Sequence, residues 1–561
     1  MAIYVEKEEK KMRKSSILVA TLLAGMSLTL VGCNKNDQYK AENLKKVDAT
    51  AYETTYRSMR INGTGYTAEQ YSRVAVEKED GTKASKYVVA DVKALVIPVD
   101  FTDYPASSMP LGVDGTRQQL QTMMFGTDKE VEWYSLAGYY KSSSYGQCNV
   151  TGTVGDWYHV DMTSEAFAKQ AGYDSKTHKG GTGGSQTIAN AVEELYHNKY
   201  EEARDNGDTA AMAKYDLTQY DANKDGYVDS LIMIYTAPID TTGSIWWAFC
   251  SSISGAFGKY TPTMEGMNRF FWASYWFFFD AYLDNYKVPE DLPAKIQSGE
   301  ATMDSHTMIH EYGHVLGMPD YYITDYNSSD FDGMGYLDMM DYNIGDHNSA
   351  SKSWYGWVEP YYAVGSTKVT LRSATKTGDC LILPIQGEYK NTLMDQYIMI
   401  EFITPEGVAK MDGEKKFAGN YPLYYNKAGV RVLHVDARLG VQTYNQSKGE
   451  WTFVGFTSST NRPDSSSYVT TACSNTATDS CFKDYKLLEI LPSDGKSIKY
   501  KGQATNECLY HEGDTFGAEG GPWANYMMHD ISGGKTVPLG FKFEITKMDG
   551  NKSVDITITK I

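Results

Sequence analysis

The residue types best suited to chemistry in this chain are two histidines and a glutamate in one short stretch. His310, Glu311 and His314 form the pattern H-E-x-x-H. Residues i and i+4 of a helix share one face, so both imidazole rings can reach a single metal ion. Glu311 is displaced around the helix, where its carboxylate can reach a water on that metal. The spacing predicts a helical metal centre suited to hydrolysis.

The residues that follow predict where the helix ends and where a third ligand lies. Gly317 stands where a left-handed residue can reverse the chain, and Pro319 forbids further helix. The turn brings back Asp320 as the candidate third ligand. Two histidines and one carboxylate leave a fourth position on Zn²⁺ open for water, as in catalytic zinc sites. His306 shares the same face, but it lies about 12 Å along the axis from His314, so it can only support or line the site.

Residues 310–320 read H-E-Y-G-H-V-L-G-M-P-D, which resembles the motif of the immune inhibitor A family of secreted bacterial metallopeptidases, relatives of the metzincins. The resemblance implies a zinc endopeptidase in which Asp320 stands where metzincins carry a third histidine. It also implies a Met-turn at residues 336–343, with Met340 under the metal and Tyr342 as a tyrosine that swings toward it. The alternative is a loop in which Met340 and Tyr342 only pack.

The N-terminal residues have the features of an export signal. Met12-Arg13-Lys14 is basic, and Ile17 to Leu30 is an apolar run too short for a comfortable membrane span. The run leads to Leu30-Val31-Gly32-Cys33, which resembles a bacterial lipoprotein signal. We therefore expect a signal peptide at residues 1–32, lipidation of Cys33, and a protein held outside the cytoplasm at a bacterial cell surface. The alternatives are a plain secretory signal or an N-terminal anchor helix.

Charge and cysteine content exclude some classes of partner and fold. The formal net charge of −18 argues against nucleic acid as a partner. The spacing of the cysteines other than Cys33 leaves the pairing open and argues against a disulfide-built fold, although Cys473 and Cys481 can close a small loop. These cysteines are Cys148, Cys250, Cys380, Cys473, Cys481 and Cys508. Because no C-x-x-C occurs among them, a thiolate zinc site is not expected.

A second candidate metal site is the acidic loop that begins at Asp221. Asp221, Asn223, Asp225 and Asp229 offer oxygen ligands at the spacing found in the first part of a calcium loop. The bidentate glutamate of an EF-hand is missing, because Ile232 stands at that position. The loop is therefore either a shorter structural Ca²⁺ site or a solvated turn without an ion.

Periodicity predicts a mixed α+β arrangement for the catalytic part. Ala94 to Phe101 has the pattern of a buried strand, and Tyr139 to Gly146 leading into Val150 to Tyr158 has that of a β-rich pair. Ile188, Ala191, Val192 and Leu195 recur at helical spacing and predict an amphipathic helix, while Leu231 to Tyr235 predicts a further strand. The aromatic-rich residues 246–279 are expected mostly in the core, with a minority lining a cleft beside the metal.

Beyond about residue 360, helical patterning gives way to short β-like runs that suit an all-β sandwich. These runs are Lys368 to Leu371, Leu381 to Ile385, Gln396 to Phe402, Gly429 to Val435, Lys486 to Leu491, Phe541 to Ile545 and Val554 to Thr559. We predict an α+β protein with a metzincin-like catalytic domain at 89–358 and a sandwich-like C-terminal domain at 359–561. Residues 33–88 are expected to form a tether or small N-terminal segment.

Together these features predict a zinc-dependent endopeptidase that hydrolyses extracellular proteins or peptides, with Glu311 as the general base. Zn²⁺ is the expected cofactor, and the lipid anchor is the expected membrane contact. The alternative is a catalytically silent surface lipoprotein that binds host glycoprotein or glycan through its β domain. The presence of Glu311 weighs against that alternative, because binding alone needs no base.

Overall fold

The computed structural model describes most of the chain from residue 42 onward. The described residues are 42–52, 71–77, 82–127, 129–174, 176–177, 180–222, 227–240, 244–252, 266–267, 269–323, 333–385, 391–419, 421–445, 447, 450–461, 463–464, 466–476, 485–499, 502–529 and 536–561. The predicted signal peptide, Cys33, Asn223, Asp225 and Cys481 lie outside them. Among the described residues, no helix combines the length and the hydropathy needed to cross a membrane.

A mixed sheet of six strands organises the first half of the described chain. Its strands in spatial order are Asn149–Val154, Asp91–Phe101, Ser230–Tyr235, Arg269–Ser274 and Phe249–Ser252, with Tyr158–Val160 paired to the end of Asp91–Phe101. Neighbouring strands run parallel, except that the edge strand Phe249–Ser252 is antiparallel to its neighbour. The predicted strands at 94–101 and 231–235 are confirmed.

Both faces of this sheet are covered, which explains its nearly continuous apolar strands. On one face, Ile97 and Met233 pack with Ile188 of the helix Gly183–Asn206. On the other face, alternate residues such as Val96 pack in the cluster that contains the helix His306–Val315. The sheet is therefore the middle of three layers, with the H-E-x-x-H helix against one side.

Two local predictions differ from the structure. The stretch predicted as β from Tyr139 lies in a helix, Leu136–Ser143, which begins where the Ser135 hydroxyl accepts a hydrogen bond from the Gly138 amide at 3.0 Å. The helix Gly183–Asn206 exists as predicted, but its buried face continues from Val192 to Tyr196 and leaves Leu195 exposed. Four-residue spacing from Val192 favours position 196 over 195.

The other helices cover the sheets or connect their strands. The remaining α-helices are Gly112–Phe125, Ser164–Gln170, Thr209–Tyr215, Leu292–Ser298, Met339–Tyr342, Ser349–Trp354, Ala374–Thr377 and Lys410–Glu414, and 3₁₀ helices lie at Ala106–Ser108, Leu217–Tyr220, Tyr275–Tyr282, Gly407–Ala409 and Asn506–Cys508.

The second half of the chain is rich in antiparallel strands, and each predicted β-like run beyond residue 360 contains or overlaps a strand. A six-stranded sheet contains Leu44–Lys46, Tyr361–Ala363, Cys380–Pro384, Gln396–Ile403, Gly429–Asp436 and Leu488–Ile490 in that order. A four-stranded sheet contains Thr367–Arg372, Ser553–Lys560, Phe541–Asp549 and Thr515–Phe516, and a three-stranded sheet contains Glu450–Thr457, Leu439–Asn445 and Ser467–Thr471. Two-stranded pairs are Tyr71–Glu77 with Lys83–Val89, Tyr227–Val228 with Gly266–Met267, and Met527–His529 with Thr536–Pro538.

The two halves share one core. Residues 41–561 form one compact unit, and a single apolar cluster contains Ile309 of the H-E-x-x-H helix together with Tyr397 and Leu433 of the second six-stranded sheet. The N-terminal residues 42–52 belong to this unit, because Leu44–Lys46 pairs with Tyr361–Ala363. The predicted domain boundary at 358/359 stays a prediction.

Three cysteines in the described part of the chain form no disulfide. Cys148, Cys250 and Cys508 carry free thiols, and Cys148 is fully buried. Burial raises the pKa of Cys148 well above its usual range, which makes this thiol inert at neutral pH. The pairing of Cys473 with Cys481 stays a prediction.

Candidate metal centre

The helix His306–Val315 is almost entirely buried, and its end has the predicted geometry. Gly317 has φ +103°, the left-handed conformation that reverses the chain. The Gly317 amide donates to the His314 carbonyl at 3.0 Å, and the Met318 amide donates to the Gly313 carbonyl at 3.0 Å. This turn carries Asp320 back alongside the helix.

His310, His314 and Asp320 converge on one point. Asp320 Oδ1 lies 3.1 Å from His310 Nε2 and 3.1 Å from His314 Nε2, and the two imidazole rings are nearly perpendicular at 4.9 Å between centroids. Within the described part of the chain, this trio is the one group of three His, Cys, Asp or Glu side chains whose ligand atoms lie close enough to share a metal.

The partners of the ring nitrogens show that this trio fits a cation. His310 Nδ1–H donates to the Met339 carbonyl at 2.8 Å, and His314 Nδ1–H donates to the Met318 carbonyl at 2.7 Å. Because each Nδ1–H is bound by a carbonyl, each Nε2 is left facing the Asp320 carboxylate, and positive charge at this point, from ring protons or from a metal ion, makes the arrangement favourable. Two imidazole nitrogens and one carboxylate oxygen are a typical donor set for Zn²⁺.

The two histidines also determine the ionisation of Asp320. Burial alone would raise the pKa of Asp320, but the two histidine rings hold it well below its usual range. Asp320 is therefore an anion at neutral pH and can act as a ligand without first losing a proton.

Glu311 is buried beside the trio with a free carboxylate oxygen. Only 6% of the residue is exposed, and its Oε2 has no hydrogen-bond partner among the described residues. Burial raises the pKa of Glu311, although His314 and His310 oppose the shift. A buried carboxylate of raised pKa with one oxygen free of hydrogen bonds has properties that suit a general base.

A short turn under the helix holds two of the three candidate ligands. The Asp338 side chain caps the helix Met339–Tyr342 by accepting from the Met340 amide at 2.9 Å. The Met339 carbonyl binds the His310 ring, and the Met340 carbonyl accepts from the Tyr321 amide at 2.8 Å, next to Asp320. This turn positions one ligand directly and another through its neighbour.

The same turn touches the helix too closely for a side chain at position 313. A Cβ atom on Gly313 would lie 2.4 Å from Met340 Sδ and 3.0 Å from its Cε. A larger residue at position 313 would therefore displace the buried Met340 side chain from the helix.

Known proteins resemble the part of the chain that forms most of the mixed sheet beside this site. Residues 80–246 match a family model described as the catalytic domain of immune inhibitor A peptidase M6. Over these residues, less than half of its length, the chain is similar to the immune inhibitor A peptidases. The matched residues include four strands of the mixed sheet and end before the H-E-x-x-H helix.

A relative in the family is Immune inhibitor A of Bacillus thuringiensis subsp. alesti. It is 25% identical over 264 residues, an alignment that covers 42% of this chain and 34% of the relative. The chain thus aligns with about a third of the length of the curated relative it matches.

Tyr342, expected from the family resemblance to swing toward the metal, is half-buried among other tyrosines. Its ring centroid lies 4.8 Å from that of Tyr336 and 5.2 Å from that of Tyr421. Met340 packs against Gly313 of the helix, and its expected place under the metal stays a prediction. The role of Tyr342 stays a prediction.

Two of the four candidate calcium ligands are described, and one of them has a structural role. Asp229 is buried, and its Oδ2 accepts from the Lys93 amide at 2.7 Å and from the Ala222 amide at 3.2 Å. Asp221 is half-buried nearby in the chain. Asn223 and Asp225 lie outside the described residues, so calcium binding stays a prediction.

His306 supports the helix as a buried cation. Its Nδ1 lies 2.5 Å from Asp304 Oδ1, its Nε2 lies 3.0 Å from Asp412 Oδ1, and its ring is stacked between Trp133 at 3.6 Å and Phe417 at 4.1 Å. Burial would lower the pKa of His306, but Asp304 and Asp412 raise it to about 10. Sequence reasoning placed His306 outside the ligand set but missed this role, because Asp412 is distant in the chain.

Asp412 links His306 to the loop after the turn. Its other oxygen, Oδ2, accepts from the Gly345 amide at 2.7 Å. The start of the H-E-x-x-H helix and the loop that follows Tyr342 are therefore held by one buried carboxylate. No local pattern around Asp412 indicated this contact.

Gly313→Ala tests the contact with Met340. Alanine has the higher helix propensity by about 1 kcal/mol, yet we expect a net loss of about 1–3 kcal/mol and lower metal content, because Met340 must move. Thermal unfolding and elemental analysis measure both effects. Gly183→Ala is the matched control, since a Cβ there has no atom within 4 Å. Unchanged metal content and stability in Gly313→Ala would show that the contact does not constrain the site.

His306→Gln tests the buried cation. The folded-state pKa of about 10 lies above the unfolded value of about 6.5, so the charge stabilises fully below pH 6.5 and its contribution is lost as pH rises toward 10. We expect the variant to lose about 3–5 kcal/mol at pH 6 and less at pH 9. Denaturant unfolding of the wild type and the variant from pH 6 to 10 measures the difference between their free energies of unfolding. Titrations that occur in both proteins cancel in this difference.

The control is His159→Gln, because His159 pairs with Asp100 at 2.6 Å but its side chain is 70% exposed. An exposed pair contributes about 0–1 kcal/mol. If the loss of unfolding free energy in His306→Gln stayed constant across this pH range, the assignment of a buried charge would be contradicted.

Proposed function

We propose that this protein is a zinc-dependent endopeptidase with a metzincin-like catalytic domain. The observation that carries the proposal is the convergence of His310 Nε2, His314 Nε2 and Asp320 Oδ1 beside Glu311, whose Oε2 has no partner among the described residues. Similarity of residues 80–246 to a peptidase family supports the same reaction class. His310, His314 and Asp320 would hold the metal, and the bond cut is a peptide bond of a protein or peptide substrate.

Each side chain of the site has a different role in the proposed hydrolysis. A Zn²⁺ ion bound by the trio would supply a Lewis acid for the scissile carbonyl and lower the pKa of water. Glu311 accepts the proton of the attacking water and delivers it to the leaving amine. Its burial supports this role, because a raised pKa brings the carboxylate closer to the working pH. Tyr342 donates a hydrogen bond to the oxyanion that develops at the carbonyl.

Backbone carbonyls around the site orient the two histidine rings. The Met339 and Met318 carbonyls hold each Nδ1–H, which fixes the tautomer and raises the basicity of Nε2. The cap that Asp338 places on the turn keeps the Met339 carbonyl in position. Metal affinity therefore depends on residues outside the ligand set.

The cellular setting and the architecture form part of the proposal. We infer a lipoprotein anchored outside the cytoplasm through Cys33 after removal of residues 1–32, a catalytic domain at 89–358, and a sandwich-like β domain at 359–561. We also infer a structural Ca²⁺ in the loop from Asp221 to Asp229. Metabolic labelling of Cys33→Ser with a fatty-acid analogue and elemental analysis of Asp225→Ala are the direct measurements.

A catalytically silent surface protein that binds glycoprotein or glycan is the less favoured alternative. Such a protein needs neither the metal trio nor a buried carboxylate with an unpartnered oxygen, which costs free energy to keep. Casein cleavage with and without a chelator separates the two functions.

Glu311→Gln tests the assigned base. We expect cleavage of casein to fall by a factor of about 10²–10⁴ or more, because glutamine keeps the size of the side chain but cannot accept the proton. Elemental analysis should find the wild-type amount of zinc, and the melting temperature should not fall. Cleavage at the wild-type rate would remove Glu311 from the mechanism.

Asp320→Ala is the companion variant. It should lose both zinc and activity, since it removes a ligand and leaves Glu311 in place. Full zinc content in Asp320→Ala would mean that the third ligand is another residue, whatever the outcome for Glu311→Gln.

A further inference from the structure

The residue that follows the third candidate ligand is held at each of its polar groups. The Tyr321 amide donates to the Met340 carbonyl at 2.8 Å, and the Tyr321 hydroxyl lies 2.6 Å from the Ser351 hydroxyl. The Tyr321 carbonyl accepts a hydrogen bond of 2.9 Å from the side-chain Nδ2 of Asn475, which is fully buried and 154 residues away in the chain. A side chain of the second half of the protein therefore contacts the segment that carries Asp320.

The amide of Asn475 is itself fixed by a strand of the second six-stranded sheet. Asn475 Nδ2 also donates to the Leu488 carbonyl at 2.9 Å, and Asn475 Oδ1 accepts from the Leu488 amide at 3.0 Å. Leu488–Ile490 is the last strand of that sheet and pairs with Gly429–Asp436 on one side only. The outer side of an edge strand presents backbone groups that need other partners, and Asn475 satisfies two of them. The sheet therefore determines where Asn475 lies.

The three partners of Asn475 match an amide and not an acid. Nδ2 carries two hydrogens and faces two carbonyl oxygens, while Oδ1 faces a backbone N–H, so these partners determine the orientation of the amide. An aspartate would place a carboxylate oxygen against both carbonyls. The space is also closed, because a Cβ atom on Gly333 would lie 2.3 Å from Asn475 Nδ2 and 2.6 Å from the Leu488 carbonyl oxygen.

The same strand edge holds the chain that leads into the turn Met339–Tyr342. The Gly333 carbonyl accepts from the Ile490 amide at 2.8 Å, next to the contact between Gly333 and Asn475. The segment that carries Asp320 and the segment that leads to the turn are thus bound to one short strand.

We propose that Asn475 is a positioning residue for the metal centre: by holding the Tyr321 carbonyl at the edge of the second six-stranded sheet, it fixes where Asp320 lies relative to the two histidine ligands. This inference rests on the proposed function, because it requires that the trio binds a metal. Loss of a group that orients a metal ligand lowers metal affinity by about 10–100-fold. Affinity for Zn²⁺ therefore depends on a side chain outside the ligand set.

Asn475→Asp tests this role. The substitution keeps the size of the side chain but removes both N–H donors, so we expect the Kd for Zn²⁺ to rise by about tenfold or more. Competition with a chromophoric chelator measures the Kd, at a temperature where wild type and variant are both folded. Asn475→Ala, which removes the hydrogen bonds without adding an acid, replaces Asn475→Asp if that variant fails to fold.

Gln396→Glu is the matched control. Gln396 is also a fully buried amide, whose Nε2 donates to the His529 carbonyl at 2.8 Å and whose Oε1 accepts from the His529 amide at 2.8 Å. The same change from amide to acid should lower the free energy of unfolding here as well. The Kd for Zn²⁺ should stay at the wild-type value, because the bonds of Gln396 lie within the second half of the chain.

A second measurement asks whether Asn475 acts through Asp320. In the Asp320→Ala background only the two histidines remain, so addition of Asn475→Asp should lower the melting temperature without a further change in the residual affinity for Zn²⁺. A general structural role for Asn475 would instead weaken Zn²⁺ binding by the same factor in both backgrounds.

Three results would overturn the proposal and leave the metal centre standing: a wild-type Kd in Asn475→Asp, an equal rise of Kd in Gln396→Glu, or the same loss of affinity with and without Asp320. A wild-type protein that binds no Zn²⁺ is a different result. It would reject the proposed metal centre itself, and the role of Asn475 with it.

Discussion

The contact between Gly313 and Met340 is the constraint on which the metal centre depends. It brings the turn Met339–Tyr342 against the H-E-x-x-H helix so closely that a Cβ atom would lie 2.4 Å from the methionine sulfur. At that distance the Met339 carbonyl reaches the His310 ring, and the Met340 carbonyl holds the residue after Asp320. A looser approach would leave His310 and Tyr321, the residue after Asp320, without their backbone partners, and ligand geometry is sensitive to such supports.

The second half of the chain holds this turn in place through buried charges. Arg431 in the second six-stranded sheet pairs with Glu401 at 2.6 Å and donates to the Leu337 carbonyl at 3.1 Å, just before the turn. Glu401 also accepts from the Ser349 amide and hydroxyl, at 3.0 and 2.6 Å, just after it. A buried ion pair contributes little net stability, but removal of either partner is costly, so its geometry is strongly defined.

His306 and Asp412 fix the other end of the same loop. The imidazolium lies between two carboxylates and two aromatic rings, and Asp412 extends the contact to the Gly345 amide. The Arg431–Glu401 pair thus holds both flanks of the turn, and Asp412 joins the loop after it to the start of the helix. The C-terminal strands are therefore part of what positions the metal ligands, which agrees with a single core for residues 41–561.

The sequence by itself determined the features that depend on short spacing. The i, i+4 histidines, the left-handed Gly317 and the return of Asp320 follow from helix geometry and steric rules, and the strand Asp91–Phe101 follows from its apolar run. Local pattern misled at Tyr139, where aromatic residues of high β-propensity lie in a helix because that helix buries them.

Only the tertiary structure decided which groups support those residues. The Met339 carbonyl behind His310, the absence of room at Gly313, the partner of His306 and the contact of Asn475 with the Tyr321 carbonyl all join segments far apart in the chain. A backbone carbonyl has no signature in sequence, and an amide side chain does not show which carbonyl it binds. Contacts of this kind arise from the packing of whole elements, so periodicity and motif spacing carry no information about them.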